Sequence, residues 1–273
     1  MKSPLKYHGG KSYLAKRIIE LMPPRDQWCH YVEPYAGSLA VMLANDPNGI
    51  SEVVNDLSGG LMNFWLVLQR QDWFDSFQRL AIASPFSEQE WVEAHVYLDD
   101  RRTPVPGAEP EHAFAFFINC RQSLSGRMKS FAPLSKTRVR RGMNEQAAAW
   151  LSAIDGLPEV HARLRRVVIL NQPATDMIVK QDGPTTLFYL DPPYLPDERA
   201  SPDVYECEMT RLQHIGLLTV IRLMKGKIML SGKRSEMYDE YLKDWRREDF
   251  DVPMNCAGGK EKRRTTESVW LNF

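Results

Sequence analysis

Thr185-Thr186-Leu187-Phe188-Tyr189-Leu190-Asp191-Pro192-Pro193-Tyr194 is an apolar, β-type run that ends abruptly in an aspartate, two prolines and a tyrosine. Its apolar half predicts a buried strand. Two prolines directly after it forbid further sheet pairing and hold an extended turn, so Asp191 and Tyr194 are expected to project from the strand's carboxyl end. In open α/β sheets that edge is where ligands bind. Average residue usage would produce this tetrapeptide by chance in only about one chain in a thousand of this length.

Prolines after a strand leave backbone carbonyls without a ladder partner and fixed in direction, so a carboxylate and a nearby carbonyl can converge on one donor group. A planar amine supplies two such hydrogens. The exocyclic amine of a nucleobase is a poor nucleophile because its lone pair is delocalised into the ring. Two acceptors gripping its hydrogens favour a more tetrahedral, reactive nitrogen. Tyr194 would then stack on the base, a contact contributing roughly 1 to 3 kcal/mol. A base must leave the duplex to reach such a pocket.

A second site lies near the N-terminus, where Tyr31-Val32-Glu33-Pro34-Tyr35-Ala36-Gly37-Ser38 runs into the apolar stretch Leu39-Ala40-Val41-Met42-Leu43. The pattern predicts strand, tight turn, then helix. Such a turn brings backbone amides and a helix N-terminus toward a ligand, and Gly37 removes the side chain that would block close approach. Val53-Val54-Asn55-Asp56 predicts the next strand, with an acid at its tip placed to accept ribose hydroxyls.

Together these pieces resemble the amino-group DNA methyltransferases that use S-adenosylmethionine, in particular the Dam-like (D12 class, alpha group) N6-adenine branch. The resemblance opens at Pro4-Leu5-Lys6-Tyr7-His8-Gly9-Gly10-Lys11 and continues through Glu33 to Gly37, Asn55-Asp56 and Asp191 to Tyr194. It closes on Glu267-Ser268-Val269-Trp270-Leu271-Asn272-Phe273, so it spans nearly the whole chain. It implies that Tyr7, Lys11, Glu33, Pro34, Tyr35, Gly37 and Asp56 line the methionine and ribose parts of an S-adenosylmethionine site, and that Asp176 meets the cofactor's adenine. It implies further that Asp191 and the Pro192 carbonyl hold the target amine, that Pro193 completes the turn, and that Tyr194 stacks on the base. Lys6 resembles a DNA contact, and Arg127 and Lys129, just after Ser125-Gly126, resemble by position the base-reading hairpin of Dam-like enzymes. The chain departs from the family at Leu39, where a second glycine is usual, and at Gly232, where relatives often carry a polar residue.

Composition is compatible with this reading. The 273 residues, 43% hydrophobic, suffice for a full core, and the formal charge is zero. Charge is unevenly spread, however. Between Ala113 and Asn144 lie Arg121, Arg127, Lys129, Lys136, Arg138, Arg140 and Arg141 with no acid among them, an arrangement suited to phosphate contact with double-stranded DNA. The four cysteines form no Cys-x-x-Cys pair and the histidines are scattered, so neither a metal nor a disulfide framework is expected. No signal peptide or membrane-length apolar run appears, which predicts a cytoplasmic protein; the resemblance implies a bacterial or phage origin and a monomer or weak dimer. A restriction endonuclease encoded nearby is a candidate partner.

The expected fold is α/β: a Rossmann-like methyltransferase sheet with helices on both faces, plus a mostly helical DNA-recognition insertion. Residues 1–60 and 146–273 are expected to form the S-adenosylmethionine-binding catalytic domain, and residues 61–145 the helical insertion and target-recognition segment. Strands are predicted at 167–170 and 227–231, and helices from about Glu111 to Cys120 and Met209 to Met224. Phe64, Trp65, Trp73, Phe74 and Phe77 recur at helical spacing and predict core rather than a base-stacking surface. Residues 99–110 read as a polar proline-rich connection, and 195–208 as a lid over the flipped base.

Three rivals stand against this reading. Gly10-Lys11-Ser12 lacks the glycine five residues earlier that a phosphate-binding loop requires, because Leu5 stands there. An N4-cytosine methyltransferase would use the same acceptor geometry, although an aspartate at the head of the tetrapeptide leans toward adenine. A catalytically impaired DNA-binding relative has Leu39 as its support.

Overall fold

The computed structural model describes residues 1–100, 109–195, 207–253 and 264–273. Residues 101–108 of the expected proline-rich connection and 196–206 of the expected lid lie outside the described residues. The first half of the chain runs α1 (Ala15–Glu20), β1 (His30–Glu33), α2 (Ala40–Ala44), β2 (Ser51–Asn55), α3 (Gly59–Gln69), α4 (Gln71–Ala83), α5 (Glu88–Asp100) and α6 (Pro110–Gln122). A short hairpin, β3 (Val139–Arg140) and β4 (Met143–Asn144), leads into α7 (Glu145–Asp155), α8 (Leu157–Leu164) and β5 (Val167–Leu170). The remainder is α9 (Ala174–Gln181), β6 (Thr186–Leu190), α10 (Arg211–Ile221), β7 (Lys227–Gly232), α11 (Glu236–Tyr241), β8 (Arg246–Pro253) and β9 (Arg264–Leu271).

Seven strands form one mixed sheet in the order β5-β2-β1-β6-β7-β9-β8. β1 pairs in parallel with β2 and β6, and β6 with β7. The order explains why Thr186–Leu190 reads as an unbroken apolar run: a central parallel strand is covered on both faces, and all five of its residues are buried. β9 runs antiparallel to β7 and to β8. β8, Arg-Arg-Glu-Asp-Phe-Asp-Val-Pro, is the outer strand, and its charges and terminal proline discourage pairing with another chain. Those charges also hide it from a hydrophobicity-based reading.

Contacts divide the chain into two compact units, residues 1–16, 37–45 and 58–171, and residues 17–36, 46–57 and 172–273. The first is mostly helical. Phe64 on α3 stacks on Phe117 of α6 with ring centroids 5.8 Å apart, and Phe77 of α4 and Trp150 of α7 close the cluster. Trp65, Phe74 and Phe77 are buried as expected, while Trp73 is half-buried beneath the Arg70 guanidinium, 3.7 Å from its ring. Asn63, buried on α3, donates to and accepts from the backbone of Glu109, the residue that caps α6. The second unit holds β1, β2, β6, β7, β8 and β9 with α9, α10 and α11. No helix among the described residues is long and apolar enough to cross a membrane.

Candidate active site

Because β2, β1, β6 and β7 are adjacent and parallel, their carboxyl ends share one edge of the second unit. That edge carries Glu33 closing β1 with Pro34-Tyr35 after it, Asp56 after β2, Asp191 to Tyr194 after β6, and Gly232 closing β7. Asn55 clasps it together. Its side-chain nitrogen donates to the carbonyls of Pro34 and Gln172, both at 3.0 Å, and its oxygen accepts from the Gln172 amide at 3.0 Å. Its own carbonyl accepts from Ala36 at 2.8 Å. One buried amide therefore fixes the turn after β1 and the segment leading into α9, whose first turn carries Asp176 exposed to solvent. The sequence reading singled out the neighbouring acid and gave Asn55 no role.

Individual side chains are oriented by buried partners. The Tyr31 hydroxyl donates to Glu33 Oε1 at 2.7 Å, and both residues are buried. The Tyr194 hydroxyl donates to Glu267 Oε2 at 3.4 Å, fixing the ring plane from β9. This contact joins two motifs that lie far apart in sequence.

Tyr238, on α11, belongs to the same edge and was missed. A Cβ placed on Gly232 would lie 3.3 Å from the Tyr238 ring and 3.2 Å from that of Trp270, so these rings fill the space a side chain at 232 would take. The Tyr238 hydroxyl meets Nδ1 of the fully buried His214 at 2.9 Å. Burial raises its pKa, helped by the nearby charges of Tyr35 and Asp191. An aromatic residue in a short helix after a strand carries no sequence signal of this role.

Tyr31 and Tyr35 are likewise raised, in each case first by burial and then by the adjacent carboxylate, Glu33 or Asp56. A raised folded-state value means that this stabilisation is complete below the unfolded tyrosine pKa of about 10 and is lost as pH climbs above it. Each such phenol should remove about 1.4 kcal/mol per pH unit in that window. The urea midpoint is therefore expected to fall steeply from pH 10 upward. An unchanged midpoint between pH 8 and 11 would show that these phenols ionise as readily folded as unfolded.

In the first unit, the Gly37 turn has φ +45, and a Cβ there would stand 3.8 Å from the Tyr7 ring. The Gly10 amide donates to the Tyr7 carbonyl at 3.1 Å, and the Lys11 ammonium, in a buried residue, donates to the Gly9 carbonyl at 2.9 Å. Leu39 holds the left-handed conformation, φ 52 and ψ 29, that a glycine would adopt freely, and its side chain is fully buried. Leu39→Gly would relieve about 1–2 kcal/mol of backbone cost but forfeit about 2–5 kcal/mol of packing. Net destabilisation of about 1–3 kcal/mol is expected by chemical denaturation. A variant as stable as the parent would mean that the leucine fills no required space.

The basic segment divides into two loops. The first spans Ser123 to Phe131, which pair as an isolated bridge, and holds Ser125 and Arg127 half-buried and Lys129 exposed. Lys6 Nζ donates to the Ser123 carbonyl at 3.3 Å, and its pKa is lowered by burial and by Arg121. Arg121 Nη2 donates to the Ala149 carbonyl of α7 at 2.7 Å. The second loop is the β3–β4 hairpin, where Arg138 and Arg140 are exposed and Arg138 faces Glu145 at 3.4 Å. No cluster of three or more His, Cys, Asp or Glu suited to a metal occurs among the described residues.

A family model described as D12 class N6 adenine-specific DNA methyltransferase matches residues 7–253, nearly the whole chain. No curated protein matches the chain.

Proposed function

We propose, since the chain belongs to the D12 class N6 adenine-specific DNA methyltransferase family, that it transfers a methyl group from S-adenosylmethionine to N6 of an adenine flipped out of duplex DNA. The observation that supports this most is the shared carboxyl edge, where Asp191-Pro192-Pro193-Tyr194 stands beside the Asn55-clasped turns.

The residues present suit the cofactor. A carboxylate at a strand end and one in the first turn of a helix are acceptors for ribose hydroxyls and an adenine amine, and a glycine turn leaves room for close backbone approach. Asp56 would accept the ribose hydroxyls and Asp176 the adenine amine, while Tyr7, Lys11, Glu33, Pro34, Tyr35 and Gly37 would hold the methionine part. S-adenosylmethionine supplies an electrophilic methyl when bound; the protein supplies position and electrostatics.

Asp191 and the Pro192 carbonyl accept the two N6 hydrogens in this reading, so the nitrogen lone pair is turned out of the ring's conjugation and toward the methyl. Pro193 fixes the turn, and Tyr194, held by Glu267, provides the stacking surface. The surplus proton on N6 passes to Asp191 and then to solvent. Lys6, Arg121, Ser125, Arg127, Lys129, Arg138 and Arg140 are assigned to DNA, with residues 61–145 as the recognition insertion and the rest as the catalytic domain. The same reading carries action in the cytoplasm of a bacterium or its phage as a monomer or weak dimer. It makes a restriction endonuclease encoded nearby the partner if the modified motif is protective.

Incubating the purified chain with methyl-labelled cofactor and mixed-sequence duplexes, then digesting to nucleosides, tests the reading. N6-methyldeoxyadenosine is expected. N4-methyldeoxycytidine would replace the base assignment, and no label would favour the impaired DNA binder.

A further inference from the structure

The loop from Ser123 to Phe131 rests on the peptide between Lys6 and Tyr7. A Cβ on Gly126 would overlap the Lys6 carbonyl oxygen and lie 2.6 Å from its carbonyl carbon and 3.2 Å from the Tyr7 nitrogen. All three are backbone atoms, so no side chain can be accommodated by a rotamer change. Gly126 has φ +68, and Ser125 and Met128 near it hold φ 57, a conformation that costs non-glycine residues free energy and persists only where the surroundings over-determine it.

Those surroundings can be named. Ser123 Oγ accepts from the Met128 amide at 3.1 Å, and Leu124 donates to the Ser130 carbonyl at 2.9 Å. The Cys120 thiol donates to the Lys6 carbonyl at 3.1 Å, and burial, its first cause, pushes its pKa up to about 12, so it stays a donor. The following residue, Tyr7, lies beside the glycine turn: its ring is 3.8 Å from where a Cβ on Gly37 would stand, and its own carbonyl is held by the Gly10 amide. A single peptide is thus contacted by the loop at Lys6 and leads directly to the cofactor-side aromatic at Tyr7.

We propose that Gly126 is a positioning residue, its bare backbone seating the 123–131 loop on the Lys6–Tyr7 peptide so that cofactor held at Tyr7 and DNA held at the loop each favour the other's binding. The proposal rests on the functional reading above. Cofactor fixes the Tyr7 segment, the fixed segment holds the strained loop in its binding shape, and by linkage DNA on the loop returns the same factor to the cofactor.

The test is calorimetric titration of S-adenosylhomocysteine with and without a duplex carrying the methylated motif. In the parent, DNA is expected to tighten binding by about 5- to 150-fold. In Gly126→Ala that factor should fall to near one while affinity without DNA stays within about threefold. Cys120→Ala, which removes one bond and inserts nothing, should give an intermediate factor, and it carries the test if Gly126→Ala does not fold. A parent that binds no S-adenosylhomocysteine would overturn the functional reading itself. A parent that binds it with a factor of one, or folded variants with the parent's factor, would overturn this inference alone.

Discussion

Alanine at position 191 is expected to lower methyl transfer by at least about 10²–10³-fold, the range lost when one preorganised polar partner is removed from a reacting centre. The Asp191 carboxylate is one of only two acceptors assigned to the target amine, and the Pro192 carbonyl cannot grip both hydrogens. The substitution falls beyond β6, whose five residues remain buried, and leaves the Asn55 clasp and the Gly37 turn untouched. Cofactor affinity should therefore stay within a few-fold of the parent. The Asp191→Asn variant keeps one acceptor oxygen but presents an amide donor to an amine, so its rate should fall between those of the parent and Asp191→Ala. Single-turnover transfer beside S-adenosylhomocysteine titration separates the chemical step from binding. Turnover retained in Asp191→Ala would remove the residue from the reaction.

The second large effect is expected at Arg127. This residue is half-buried in the middle of the strained loop, and its Nε is buried with no hydrogen-bond partner among the described residues. Arginine paired with guanine is the commonest specific contact to a base edge, worth about 1–3 kcal/mol of discrimination. Arg127→Ala should thus relax the preference at one base position of the site by about 5- to 150-fold. Alanine at Lys129 or Arg138 should instead weaken all duplexes alike and flatten the salt dependence, because phosphate contacts carry no sequence information. Competitive methylation of a randomised duplex library, read by sequencing, distinguishes the two patterns. An unchanged preference in Arg127→Ala would take this residue off the reading surface.

Local pattern carried much of the fold. β5 matches the predicted 167–170, and β6 begins one residue into the opening apolar run, because both are short, continuous and bounded by turn-forming residues. The helix expected from about Met209 to Met224 is Arg211–Ile221, capped where Thr210 and Gln213 exchange hydrogen bonds. What escaped was non-local or masked by charge. α9 carries an acidic first turn and only two buried residues, too weak a stripe to read as a helix. β8 looks like a solvated loop until β9 pairs with all eight of its residues.

The site was legible in the same uneven way. The tetrapeptide and the glycine turn announce themselves because prolines and glycine restrict the backbone locally. Asn55, His214 and Tyr238 act through partners 21 to 117 residues away in the chain, which meet them only after folding. Gly126 is the clearest case: nothing in Ser-Leu-Ser-Gly indicates that its missing side chain makes room for the Lys6 carbonyl.

Methylation sequencing of DNA from a methylation-free host expressing the chain, with Asp191→Ala as control, tests the central claim most directly. Modified adenine in one short motif, absent from the control, is the predicted result. Modification at cytosine, or adenine modification that survives in the control, would contradict it.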